Sequence, residues 1–208
     1  EYRRQGLGRP LWQARRDRLI ARLQPPAVLG MDGVFVMQDF YARGGFVLSH
    51  RDLRFAGVGV SATLDTRLVE LAQIPFMALA RCDAAHFPAP RDAFLRAWIA
   101  QPGGRALGAL HDGLLHGYGV IRPCQQGYKI GPLFAATAEI ADSLYRGLAD
   151  HARGETVFLD VPENNPAALA LAARHGLREV FGCARMYYGP PPRLPDREIF
   201  GVTTFELG

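Results

Sequence analysis

Two stretches far apart in the chain, DFYARGGF (39–46) and ALAARHGL (170–177), align without a gap, with Gly45 on Gly176 and Phe46 on Leu177. Around each, the pattern of apolar residues and breakers reads as strand, glycine-terminated helix, strand, preceded by a further helix. An internal duplication of this kind restricts the chain to an α/β architecture: a mixed sheet flanked by helices, laid out in two tandem copies. The copies are not equivalent. Tyr41 of the first falls on Ala172 of the second, and the glycine loop QGLG that opens the first falls on GPLFAATAEI, which has no glycine pair before its helix.

That glycine loop lies at the start of the chain, EYRRQGLGRPLW (1–12). Gly6 and Gly8 precede Pro10 and a run with Leu11, Trp12, Leu19, Ile20 and Leu23 at amphipathic spacing, which Pro25-Pro26 stops. Proline near a helix start sacrifices no hydrogen bond, since the first N–H groups have no intrahelical acceptor. Unpaired amides, the positive end of the helix dipole and missing β-carbons together suit a phosphate.

Beyond this helix the sequence predicts a strand over 27–31, a short helix over 34–42 closed by Gly44-Gly45, and a half-exposed strand over 46–55. The glycine-spaced stretch AGVGVSATLD separates a first unit, 1–62, from a second, 63–208. The second unit reads as a strand in LVELAQI, two helices between Pro75 and Gln101 and a hairpin turning on Asp112-Gly113. A strand in GYKIGPLF and a helix over 137–152 follow, then TVFLDV as strand, a helix to Gly176, the strand LREVFGCARMYY and a last strand in GVTTFEL.

With 208 residues, 49% of them hydrophobic, the chain can bury a substantial core. No apolar run reaches membrane-spanning length and no signal segment is visible, so a cytoplasmic location is expected, with no membrane partner. Cys82, Cys124 and Cys183 have no CxxC spacing, and His50, His86, His111, His116, His151 and His175 have no ligand spacing, so neither a disulfide framework nor a metal is expected. The net charge of +4 comes from arginine, Lys129 being the single lysine, and no basic stripe interleaved with aromatics marks a nucleic-acid surface.

YRRQGLG resembles the R/Q-x-x-G-x-G/A signature of the GNAT superfamily of acyl-CoA-dependent N-acetyltransferases, with Arg3, Gly6 and Gly8 at the specified positions. FYARGGF is similar to that family's aromatic-Tyr-x-x-x-Gly-Phe ending, one strand and one helix later. The second half, from HFPAPRDAFLRAWIAQPG to FLDVPENNPAALALAARHGL, looks like the C-terminal domain of tandem GNAT acetyltransferases, so the resemblance covers nearly the whole chain. It implies acetyl transfer from acetyl-CoA to an amine by direct attack, with no metal and no covalent enzyme intermediate. It also implies that the first unit lacks its N-terminal half, since the family places several strands and two helices before the pyrophosphate loop.

Under that resemblance the coenzyme is expected against Arg3, Arg4, Gln5, Gly6, Leu7, Gly8 and Arg9. Tyr41 is the expected acid for the departing thiolate, against a bland alternative as a packed helix-end aromatic. Arg122, Tyr128, Lys129 and Asp160 are candidate substrate contacts near strand ends of the degenerate second copy. For Asp160, at the end of a buried strand, the alternative is a structural ion pair. The acceptor is a small-molecule or peptide amine of unspecified identity, and a homodimer is left open. The rival functions are a non-catalytic acyl-CoA sensor and a purely structural interaction domain.

Overall fold

A computed structural model describes residues 5–207. The first unit contributes α1 (Gly8–Ile20), β1 (Leu29–Val34), a single 3-10 turn leading into α2 (Gln38–Ala42), and β2 (Val47–Val58). Then come β3 (Leu68–Glu70), α3 (Phe76–His86), α4 (Asp92–Ile99), β4 (Arg105–His111), β5 (Leu114–Pro123) and β6 (Tyr128–Ala135). The chain continues through α5 (Ala138–Ala149), β7 (Thr156–Pro162), α6 (Pro166–Arg174), β8 (Arg178–Tyr188) and β9 (Ile199–Gly201).

The strands form one nine-stranded sheet ordered β1-β8-β2-β7-β6-β5-β4-β3, with β9 added on β6. The two copies interleave within this sheet: β8 lies between β1 and β2, and β2 lies between β8 and β7. Each repeat thus inserts its last strand into the other. The physical reason is edge protection, because a βαβ unit left alone would expose unpaired backbone on both sides of a short sheet.

Alternation along the strands sorts the side chains into two faces. Ala184 and Met186 of β8 pack with Phe46, Trp12 and Tyr41 under α1 and α2, while Cys183 joins the cluster of α3 and α4 with Leu79, Leu95 and Tyr118. On β5 and β6, Ile121 and Leu133 face α5 and α6, and Val120 and Phe134 face α3 and α4.

Local signals mark several boundaries. Thr137 Oγ1 accepts from Ile140 N at 3.3 Å to start α5, and Asn165 accepts from Ala167 N and Ala168 N to start α6, with Pro166 as its first residue. The Asp112-Gly113 turn has φ of 48° and 74°, the left-handed pair that a two-residue hairpin requires. Three expectations are corrected. α1 buries none of its residues and leaves Leu11 63% exposed, so it is a laid-on helix rather than an amphipathic core helix. The strand expected in LVELAQI stops at Glu70 and turns into a 3-10 segment that tucks Leu71 into the core. The last strand covers Ile199–Gly201, because β9 fills a short gap and the chain then turns to bury Thr203, Thr204 and Phe205.

Candidate active site

At the start of α1, Gly6 has φ of +75°, a conformation only glycine adopts without strain, and Leu7 in the N-cap position offers no side-chain cap. The N-cap residue thus supplies no acceptor to the amides of the first turn. A β-carbon at Gly8 would meet nothing within 4 Å, so no protein contact demands glycine there, whereas a phosphate approaching the backbone would. Residues 5–9 are all exposed, and Arg9 reaches over the Phe40 ring at 5.8 Å. Arg3 and Arg4 lie outside the described residues. The local geometry thus fits a pyrophosphate.

Tyr41 sits at the end of α2, its ring against Trp12 and Phe40 at 5.8 and 5.5 Å. It rests flat on β1: a β-carbon at Gly33 would come within 2.5 Å of the Tyr41 ring, so that close approach requires glycine. The ring is half-buried and its hydroxyl makes no hydrogen bond among the described residues.

The groove containing Gly8, Leu11, Trp12 and Arg15 shares Arg15, Val28, Gly30 and Met31 with a larger cleft on the opposite face of the sheet. That cleft in turn shares Phe87, Pro88, Arg185, Tyr187 and Pro192 with a cavity of about 210 Å³ bordered by His50, Asp52 and His86. Three neighbouring depressions thus share lining residues around β1, and the last of them has a floor of buried charges. Those charges belong to residues that the sequence reading passed over. Asp32 on β1 faces Arg185 on β8, with Arg185 Nη1 donating to Asp32 Oδ2 at 2.7 Å. Asp52 on β2 stands beside them, 3.5 Å from His50 Nε2. Burial pushes the Asp32 carboxyl from 3.8 up to about 8; Arg185 opposes the shift and the neighbouring Asp52 adds to it.

The candidates in the second unit have a different fate. Asp160, fully buried, receives two hydrogen bonds from Arg54, Nε at 2.7 Å and Nη2 at 2.9 Å, and forms a short ion pair with Lys129. Burial lowers the Lys129 pKa while Asp160 pulls it back up. The Phe205 ring covers both cations, 4.6 Å from Arg54 and 5.3 Å from Lys129. Arg122 borders the same corner but stacks on Trp98, and Tyr128 turns edge-on to His151. The structure thus brings Lys129 and Asp160 together in a closed ion pair, with Arg122 at its rim and Tyr128 apart from it.

The alignment that puts Gly45 on Gly176 also puts Arg54 on Arg185. Both arginines bind an aspartate across the sheet, Arg185 to Asp32 and Arg54 to Asp160, so each repeat supplies the acid for the other's base. A mid-strand Asp in each repeat, in LGMDGV and in TVFLDV, was the signal that could have exposed this pairing. Among the described residues no group of three His, Cys, Asp or Glu is arranged for a metal, and no helix is long and apolar enough to cross a membrane.

Residues 79–201 match the family model described as "Acetyltransferase (GNAT) domain". Holothin acyltransferase from Pseudoalteromonas sp. (strain SANK 73390) is 27% identical over 186 residues, covering 86% of this chain and 62% of that protein, so the chain spans less than two thirds of the relative. A candidate acetyltransferase from Pyrococcus horikoshii, of known crystal structure, superposes with a TM-score of 0.84 at 22% identity, over 100% of this chain and 68% of that one. A tandem GNAT protein from the clavulanic acid biosynthesis pathway superposes with a TM-score of 0.59 at 16% identity, over 92% and 72%.

Proposed function

The chain belongs to the GNAT acetyltransferase family, and we propose that it moves an acetyl group from acetyl-CoA to a primary amine by direct attack. What supports this reading is a row of neighbouring depressions: an uncapped helix start at Gly6–Gly8 beside the first, with Tyr41 nearby, and a buried acid pair at the last. Acetyl-CoA supplies an activated thioester. The chain supplies position and charge. Backbone amides at residues 6–9 hold the pyrophosphate, with Arg3, Arg4 and Arg9 as charged neighbours. The acceptor loses a proton to water and attacks as the free amine: its nitrogen bonds to the acetyl carbon, the carbon–sulfur bond breaks, the Tyr41 hydroxyl gives its proton to the departing sulfur, and the proton shed by the new amide nitrogen returns to Tyr41 through water.

In this reading the chain holds two GNAT-like units, 1–62 and 63–208, derived from one duplicated ancestor. The reciprocal Asp–Arg pairs support that descent. The first unit takes the coenzyme and the second shapes the acceptor pocket. The test has two parts. Acetyl-CoA raises the melting temperature in a concentration-dependent way, since a ligand of the native state alone stabilises it. Thiol release with a panel of primary amines then separates an enzyme from an acyl-CoA sensor: binding without release, for any amine, overturns the transferase assignment.

A further inference from the structure

The floor of the 210 Å³ cavity carries an unusual charge. Asp52 is only 1% exposed, and its Oδ1 has no hydrogen-bond partner, the nearby His50 ring being out of line. Asp32, also buried, likewise has one oxygen without a partner. Arg185 is the single arginine at this floor, and it serves Asp32. Arg185 balances one charge and Asp32, whose carboxyl burial pushes up to about 8, holds a proton near neutral pH, so what the floor lacks is a hydrogen-bond donor to Asp52 Oδ1. Leaving a buried carboxylate unmatched is costly unless a ligand completes it.

The walls above combine apolar Phe87, Pro88, Phe134 and Leu194 with polar Asn164 and Asp196. His86 on α3 is already engaged, Nδ1 with Cys82 O at 2.7 Å and Nε2 with Glu198 Oε2 at 3.1 Å, and does not compensate the floor. A cavity with a partly apolar lining and a donor-poor carboxylate at its base suits a hydrogen-bond-donating organic cation of modest size.

We infer that Asp52 anchors the ammonium group of the acceptor, a primary amine carried on a compact apolar or aromatic body that fills the space between α3 and the segment around Leu194. This inference rests on the amine-acceptor reading above and specifies the substrate class of that site. Asp52 is a specificity-determining contact; at 98% side-chain burial it meets the ligand only from inside the cavity.

Calorimetric titration tests it with tyramine and with 4-ethylphenol, which keeps the aromatic body and lacks the ammonium. The expected result is at least tenfold tighter binding of tyramine, abolition of that preference in Asp52→Asn, and weakened binding of both probes in Leu194→Trp. Equal affinity for the two probes, no binding of either, or a preference that survives Asp52→Asn overturns the inference. Should Asp52→Asn fail to fold, the wild-type preference and the weakened binding of both probes in Leu194→Trp decide alone. Thiol release measured in parallel keeps the two proposals apart. Acetylation of an amine indifferent to both substitutions removes this pocket and leaves the activity, whereas Asp52-dependent tyramine binding without thiol release for any amine removes the activity and leaves the pocket.

Discussion

The helix that starts each repeat shows how far two copies of one pattern can diverge. α1 begins with an uncapped turn around Gly6 and buries none of its residues, whereas α5 begins with a Thr137 cap and buries seven residues, Leu144 and Leu148 among them. The charged pairs diverge in parallel. Asp32 and Arg185 open onto a cleft with Asp52 beside them, while Asp160 and Arg54 are closed by Lys129 and the Phe205 ring. β6 and β7 pair over only three residues, Tyr128–Ile130 with Val157–Leu159, and where they part β9 pairs with β6 and Val202 N donates to Asp160 O. One repeat leaves its polar groups facing a cleft. The other satisfies the equivalent groups with its own chain, and in doing so becomes the rigid support of the first.

The largest effect that tests this contrast is on the closed pair. Asp160→Ala leaves Arg54 and Lys129 without their shared carboxylate, and denaturant titration should show a loss of about 3 to 5 kcal/mol. A loss below about 1 kcal/mol would mean that the second pair is not sealed, and the contrast collapses. Next comes Tyr41→Phe, for which turnover should fall about a hundredfold with coenzyme affinity unchanged, the range of a general acid. Wild-type turnover would reduce Tyr41 to the packing role of its counterpart Ala172.

Gly8→Asp should weaken the acetyl-CoA-induced thermal shift about tenfold in concentration by placing a carboxylate at the helix start. The melting temperature without ligand should stay put, because a β-carbon there meets nothing. The smallest change is expected for Thr137→Ala, about 1 kcal/mol of stability from the lost cap, with coenzyme affinity untouched. If instead Thr137→Ala creates coenzyme binding at α5, the two helix starts differ by one side chain rather than by their surroundings.

Much of the fold was legible in short-range pattern. The hairpin at Asp112-Gly113, the starts of α5 and α6 and the match of Gly45 to Gly176 follow from residues a few positions apart, where backbone preference and capping act. α1 was read from amphipathic spacing, which reports which residues share a face and not whether anything covers that face, and the helix buries none of its residues. Lys129 and Asp160 were singled out as polar groups at strand ends, and the structure puts them in direct contact. Asp32, Asp52 and Arg185 went unmarked, since an aspartate inside an alternating strand reads as solvent-facing when its strand is taken for half-exposed; β2 is in fact flanked by β7 and β8, and its face at Asp52 is covered.

By itself, the sequence determined the repeated helix–strand units, the glycine-led helix start suited to an anion and the aromatic Tyr41 at the end of its helix, all of which depend on local stereochemistry. Only the tertiary structure decided that β8 enters between β1 and β2, and that Asp32 meets Arg185 across 153 positions of chain. Strand order is set by which faces and edges can be buried together, a property of the whole sheet that no segment of it carries.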